Sequence, residues 1–142
     1  MYLVDTDVIS EARKEHRADS GVRAFFSEVQ RDDAPLYISV ITLGEIRRGV
    51  ERIRHRGDTA QAAQLERWLK RLTTDFAGSI LAFDEDAAQV WGRLRVPHSE
   101  NLLDEQIAAT ALIHDLTVVT RNAAHFESTG VKVRNPFRLR SS

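Results

Sequence analysis

The chain has 142 residues, with 20 basic and 21 acidic side chains, and its net charge of −1 gives no overall pull toward nucleic acid. Hydrophobic residues make up 42% and charged residues 29%, an ordinary globular balance, and no apolar run nears the roughly 20 residues that a membrane span needs. Cysteine is absent, which excludes disulfides and thiolate metal sites and fits a reducing cytoplasm. No basic segment precedes an apolar stretch at the N-terminus, so a secretory signal is not expected.

The length predicts one domain over residues 1–142. Tyr2 to Val4 read as a short buried strand, followed by a helical stretch from Asp7 to Arg13. Val22, Phe25, Phe26 and Val29 recur at helical spacing and predict a helix over 20–31. After the turn Asp32-Asp33-Ala34-Pro35, the β-rich run 36–40 predicts the next strand. Leu43, Ile46, Val50 and Ile53 form one helical stripe. Asp58 is placed to cap a second long helix marked by Ala62, Leu65, Leu69, Leu72 and Phe76, and the two helices predict a hairpin. A strand over 78–83 follows, then a helix opened by Asp84-Glu85-Asp86, with Ala87, Val90, Trp91 and Leu94 on its face and Pro97 at its end. Residues 101–114 predict another helix and 116–120 a strand. A helical turn at 123–126 and a strand at 131–133 complete the core. Strands alternating with helices imply a central parallel sheet of four to five strands with helices on both faces.

Three acids fall at element boundaries in this pattern. Asp5 ends the first strand, where ligands of open α/β sheets bind; a strand-ending Asp is equally the N-cap of the helix that follows. Glu45 lies off the apolar stripe of its helix, and Gly49 one turn on leaves room beside it; a solvated Glu45 paired with Arg48 is the alternative. Asp104 heads a close-packing face with Ala108 and Ala111, where a charge is partly desolvated, although the first turn of a helix also favours an Asp. Like charges gathered together persist near neutral pH when a cation neutralises them. Mg²⁺ takes oxygen ligands, keeps several waters and is held by one or two carboxylates plus substrate phosphates.

The motifs also resemble a known family. Val4-Asp5-Thr6-Asp7-Val8-Ile9-Ser10-Glu11 is similar to the opening of PIN-domain proteins. The same holds for Ile41-Thr42-Leu43-Gly44-Glu45-Ile46-Arg47-Arg48-Gly49, for Asp104-Glu105-Gln106-Ile107-Ala108-Ala109-Thr110-Ala111, and for Leu116 through Asn122, with Asn135-Pro136-Phe137 as a typical tail. The nearest group resembles the VapC/FitB-type toxins of toxin–antitoxin pairs. The resemblance implies a PIN-like fold and an Mg²⁺- or Mn²⁺-dependent endoribonuclease. Asp5 and Asp104 would be the principal metal ligands, Glu45 would complete the catalytic acidic pocket, and Thr6, Thr120 and Asn122 would support it. It also implies a homodimer and a cognate VapB-type antitoxin, in a heterotetramer or larger assembly. That antitoxin would insert a segment into a groove formed by the 39–76 hairpin and would carry the contact with DNA. Many relatives have a fourth acid in the last motif. Here Asn122 stands in that place, offering a carbonyl oxygen without charge, and His125 replaces an acid found before Phe126 in others. His125 is expected at the surface.

Two other readings compete. Asp5-Thr6-Asp7-Val8 also fits haloacid-dehalogenase-type phosphatases, but of the three lysines only Lys70 and Lys132 lie far downstream and neither has the required context. A non-catalytic subunit of an antitoxin-containing DNA-binding complex is the second alternative. Of the 20 basic residues 17 are arginine. Arg47, Arg48, Arg52, Arg54 and Arg56 crowd one helix, where Glu51 with Arg47 suggests a solvated, ion-paired face. Arg93, Arg95 and Arg121 are further candidates, and Arg121 has the strongest case as an RNA contact from its place beside the site.

Overall fold

A computed structural model of the chain describes residues 1–97 and 100–138. Five parallel strands form one sheet: β1 (Tyr2–Val4), β2 (Leu36–Ser39), β3 (Ile80–Leu81), β4 (Thr117–Val119) and β5 (Val133–Arg134), in the order β3-β2-β1-β4-β5. The central β1 pairs Leu3 with Tyr37 on one side and with Val118 on the other. This is the four-to-five-stranded parallel sheet the sequence predicts.

The period-two alternation of strand side chains sorts the core into two layers. Val4 and Val119 face a layer built with Val8, Phe25, Ile46 and Leu69. Those residues come from α1 (Thr6–Ala12), α2 (Ser20–Asp32), α3 (Val40–His55) and α4 (Thr59–Asp75). Leu3 and Val118 face the other layer, with Ile107, Ala108 and Ala111 of α6 (Leu102–His114) and Leu94 of α5 (Glu85–Leu94). The small side chains Ala108 and Ala111 are fully buried, so α6 lies close on the sheet.

Helix starts follow the caps read from sequence. Asp58 accepts from the Gln61 amide and Asp84 from the Ala87 amide. Several boundaries differ. The strand expected over 78–83 is paired only at Ile80–Leu81, because Gly78 has a positive φ and leaves the chain turning until Ser79. The last strand is Val133–Arg134 rather than 131–133, and the helical turn at 123 extends as a 3-10 segment to Thr129. A second 3-10 turn, Glu15–Arg17, was not foreseen. The expected helix end at Pro97 falls earlier, at Leu94.

The C-terminal tail is anchored beside the start of α2. Asp19 Oδ1 accepts from the amides of Gly21, Val22 and Arg138. A Cβ on Gly21 would stand 2.1 Å from the Pro136 carbonyl oxygen, so this position needs glycine.

Candidate metal centre

Parallel strands end at one edge, and β1 and β4 deliver Asp5 and Thr120 there side by side. Asp5 is the N-cap of α1, its Oδ1 accepting from the Thr6 amide at 2.8 Å. Its Oδ2 accepts from the Thr120 hydroxyl at 2.8 Å, and the residue is only 4% exposed. Burial, and then the neighbouring charge of Asp7, push the Asp5 carboxyl up to about 7. Asp5 is thus the N-cap of α1 and a buried carboxylate at the strand edge at the same time.

Glu45 arrives from α3. Its Oε1 accepts from the Thr6 hydroxyl at 3.0 Å, so Thr6 links the two acids with its amide on one and its hydroxyl on the other. Burial raises the Glu45 carboxyl, with the charges of Asp104 and Asp7 adding to it. The Arg48 charge acts in the opposite sense, but among the described residues no ion pair joins the two, contrary to the solvated alternative. Open space lies around Gly49, as its position suggested.

Asp104 sits in the first turn of α6, its side chain 23% exposed. Its charge is felt at Asp5, Asp7 and Glu45, which places all four carboxylates in one neighbourhood. Its Oδ2 lies 2.8 Å from His125 Nδ1. His125 is half-exposed, as expected of a surface residue, and it touches one of the acids.

Asp7 is the residue that the sequence reading left out. Its Oδ2 accepts from the Arg121 amide at 3.0 Å and from Asn122 Nδ2 at 3.4 Å. Its Oδ1 is buried and has no hydrogen-bond partner among the described residues. The signal for it was the Asp-x-Asp spacing of Asp5-Thr6-Asp7-Val8, which entered only the phosphatase reading. Thr120 and Asn122 are also tied together, the Thr120 hydroxyl accepting from the Asn122 amide at 3.0 Å. Arg121 turns its guanidinium over the Phe137 ring at 4.1 Å.

The donor set is all oxygen apart from His125, as a hard cation requires. Among the described residues no group of three or more His, Cys, Asp or Glu side chains is placed so as to hold a metal ion by itself. Mg²⁺ does not need one, since it binds through one or two carboxylates and keeps its water. The raised, buried Asp5 carboxyl and the bare Asp7 oxygen are features that a cation would relieve. The residues fit a divalent ion on these grounds.

Elsewhere some of the arginines are ion-paired. Arg47 and Arg54 both bridge Glu51 and Glu66, which ties α3 to α4, while among the described residues no ion pair involves Arg48, Arg52 or Arg56. Arg95 lies 3.5 Å from Glu105, a carboxylate buried between α5 and α6. A separate groove of about 650 Å³ runs between α1, α2 and α4, with Arg13, Arg17, Arg67, Trp68, Arg71 and Phe76 among its lining. The hairpin contributes to it through α4.

The model of the PIN domain family matches residues 2–132. The chain belongs to the PIN-domain family. This PIN domain is 35% identical to Toxin FitB of Neisseria gonorrhoeae over 142 residues, covering 96% of this chain and 99% of the relative. It is 32% identical to the VapC ribonuclease Y4jK of Sinorhizobium fredii, covering 96% and 98%. Among solved structures it is similar to FitAcB from Neisseria gonorrhoeae, with a TM-score of 0.84 at 34% identity, over 98% of this chain and 100% of the other. A structure of FitAB bound to an IR36 DNA fragment aligns with a TM-score of 0.79 at 31% identity, over 99% of each chain. No helix among the described residues of the PIN domain is long and apolar enough to cross a membrane.

Proposed function

We propose that the protein is the toxin of a type II toxin–antitoxin pair and an endoribonuclease dependent on Mg²⁺ or Mn²⁺. The observation that carries this reading is Asp5: a nearly buried carboxylate, fixed at both oxygens, in a neighbourhood shared with Glu45, Asp7 and Asp104. The likeness to Toxin FitB and to a VapC ribonuclease supports it.

In this reading Asp5 and Asp104 hold the ion and Glu45 completes the pocket. A bound divalent cation would supply Lewis-acid stabilisation of the charge developing on a phosphodiester. Thr6 and Thr120 keep the carboxylates aimed. Glu45, whose carboxyl burial raises, is placed to accept the proton of the attacking water. The water oxygen joins phosphorus, the bond to the leaving ribose oxygen breaks, that oxygen takes a proton from solvent, and the RNA strand is cut. Arg121, beside the site, draws in the phosphate backbone.

The arginine-lined groove with Trp68 and Phe76 suits an antitoxin segment carrying acidic and apolar side chains. Contact with DNA would come through that antitoxin, and the toxin would act as a homodimer on cytoplasmic RNA. A second reading, a non-catalytic subunit of a DNA-bound regulatory complex, draws on the uncharged Asn122 and on the likeness to DNA-bound FitAB.

The test is direct. Toxin free of antitoxin is incubated with structured RNA and Mg²⁺ or Mn²⁺. Cleavage abolished by EDTA and by Asp5→Ala is expected. No cleavage with either ion favours the non-catalytic subunit.

A further inference from the structure

We propose that Asp7 is the fourth carboxylate of the cation pocket, offering Oδ1 to the ion from the start of α1 where Asn122 offers no charge. This rests on the reading of the pocket as a cation site.

The geometry is asymmetric in a way that a capping role does not explain. An Asp in the first turn of a helix is favoured by the dipole while it remains in water. Asp7 instead has one oxygen buried and bare, and the other fixed by two donors. Buried polar oxygens are normally partnered, and an unpartnered one calls for an explanation such as an ion. Both donors come from the segment that follows β4, the Arg121 amide and the Asn122 side chain. Asn122 therefore acts, through Nδ2, as a donor to Asp7.

The neighbours agree with this assignment. Asp5, two residues earlier, has both oxygens satisfied by Thr6 and Thr120. Glu45 Oε1 is satisfied by Thr6, and Asp104 Oδ2 by His125. Asp7 Oδ1 is the carboxylate oxygen of this group that is both buried and without a partner among the described residues. Asn122 Nδ2 and Asp7 Oδ2 are close enough that a carboxylate at one position and an amide at the other form the same contact when interchanged.

Interchange gives the test. Mn²⁺ binding is measured by calorimetry and by the electron paramagnetic resonance of the free ion, on wild type, Asp7→Asn and the double variant Asp7→Asn with Asn122→Asp. Thermal melts confirm that each is folded, and Asp7→Ser stands in if the Asn variant is not. The expected result is affinity weakened roughly tenfold or more in Asp7→Asn and returned to near wild type in the double variant. Wild-type affinity in Asp7→Asn overturns the proposal while leaving the cation pocket intact. Weakened affinity that the second substitution does not restore overturns the interchange of the two positions. A wild-type protein that binds no Mn²⁺ overturns both this inference and the functional reading beneath it.

Discussion

The hydroxyl of Thr120 donates to Oδ2 of Asp5 at 2.8 Å, joining residues 115 positions apart. Both belong to strand ends, and both are buried. Thr120→Val keeps the shape and removes the donor, leaving a buried carboxylate oxygen unsatisfied at a cost of about 1–3 kcal/mol. A lower melting temperature and RNA cleavage slowed about tenfold are expected. Wild-type cleavage rates in a folded Thr120→Val protein would show that Asp5 needs no such support.

The raised Asp5 carboxyl makes stability depend on pH. Its ordinary value of 3.8 applies to the unfolded chain, and the fold raises it to about 7. The folded protein therefore binds the proton more tightly than the unfolded one. The stability this contributes is complete below about 4 and fades as pH rises through about 7. Metal-free protein is expected to melt at a lower temperature at pH 8 than at pH 5, and Asp5→Asn is expected to flatten that slope. Mn²⁺ should raise the melting temperature more at pH 8, where the carboxylate is free to bind it. An unchanged slope in Asp5→Asn would remove Asp5 as its source.

His125 touches Asp104 from the 3-10 segment, with its own side chain half-exposed. Exposed pairs contribute little to stability. His125→Ala is expected to leave the melting temperature within about 2 °C, since roughly 0.5 kcal/mol is at stake. RNA cleavage should fall several-fold because Asp104 loses its orienting partner. Full activity in this variant would return His125 to a bystander at the surface.

Arg121 has its backbone committed to Asp7 and its guanidinium over Phe137. Arg121→Ala retains the backbone contact. Weaker RNA cleavage with a shallower dependence on salt is expected, without unfolding. Unchanged cleavage across salt concentrations would discard Arg121 as a phosphate contact.

Gly21 faces the tail at a distance no side chain tolerates. Gly21→Ala is expected to displace residues 136–138 and lower the melting temperature by several degrees. Proteolytic release of the tail would be the readout, and a tail as protected as in wild type would count against the contact.

The sheet and the positions of Asp5, Glu45 and Asp104 were legible because strand ends and helix starts leave local marks: apolar runs, caps and breaks in periodicity. Thr6 and Thr120 were legible through motif likeness and now have identified acceptors. His125 and Asp7 were not. The partner of His125 lies on another element, and no spacing rule relates residues 104 and 125. Asp7 stood only as a member of the Asp5-Thr6-Asp7-Val8 motif, and its bare oxygen is a property of packing alone. The strand over 78–83 was legible but not its short paired length, since pairing with β2 rather than residue type sets the extent of β3.

The strand order carries one more consequence. Asp5 leaves the ribosome early, but its anchor at Thr120 belongs to a strand that pairs with it from the last quarter of the chain. A nascent or truncated chain ending before Thr117 holds Asp5 and Glu45 yet lacks the scaffold that aims them. On the proposed reading such fragments would bind no divalent ion, and the pocket would take shape only once synthesis is nearly complete.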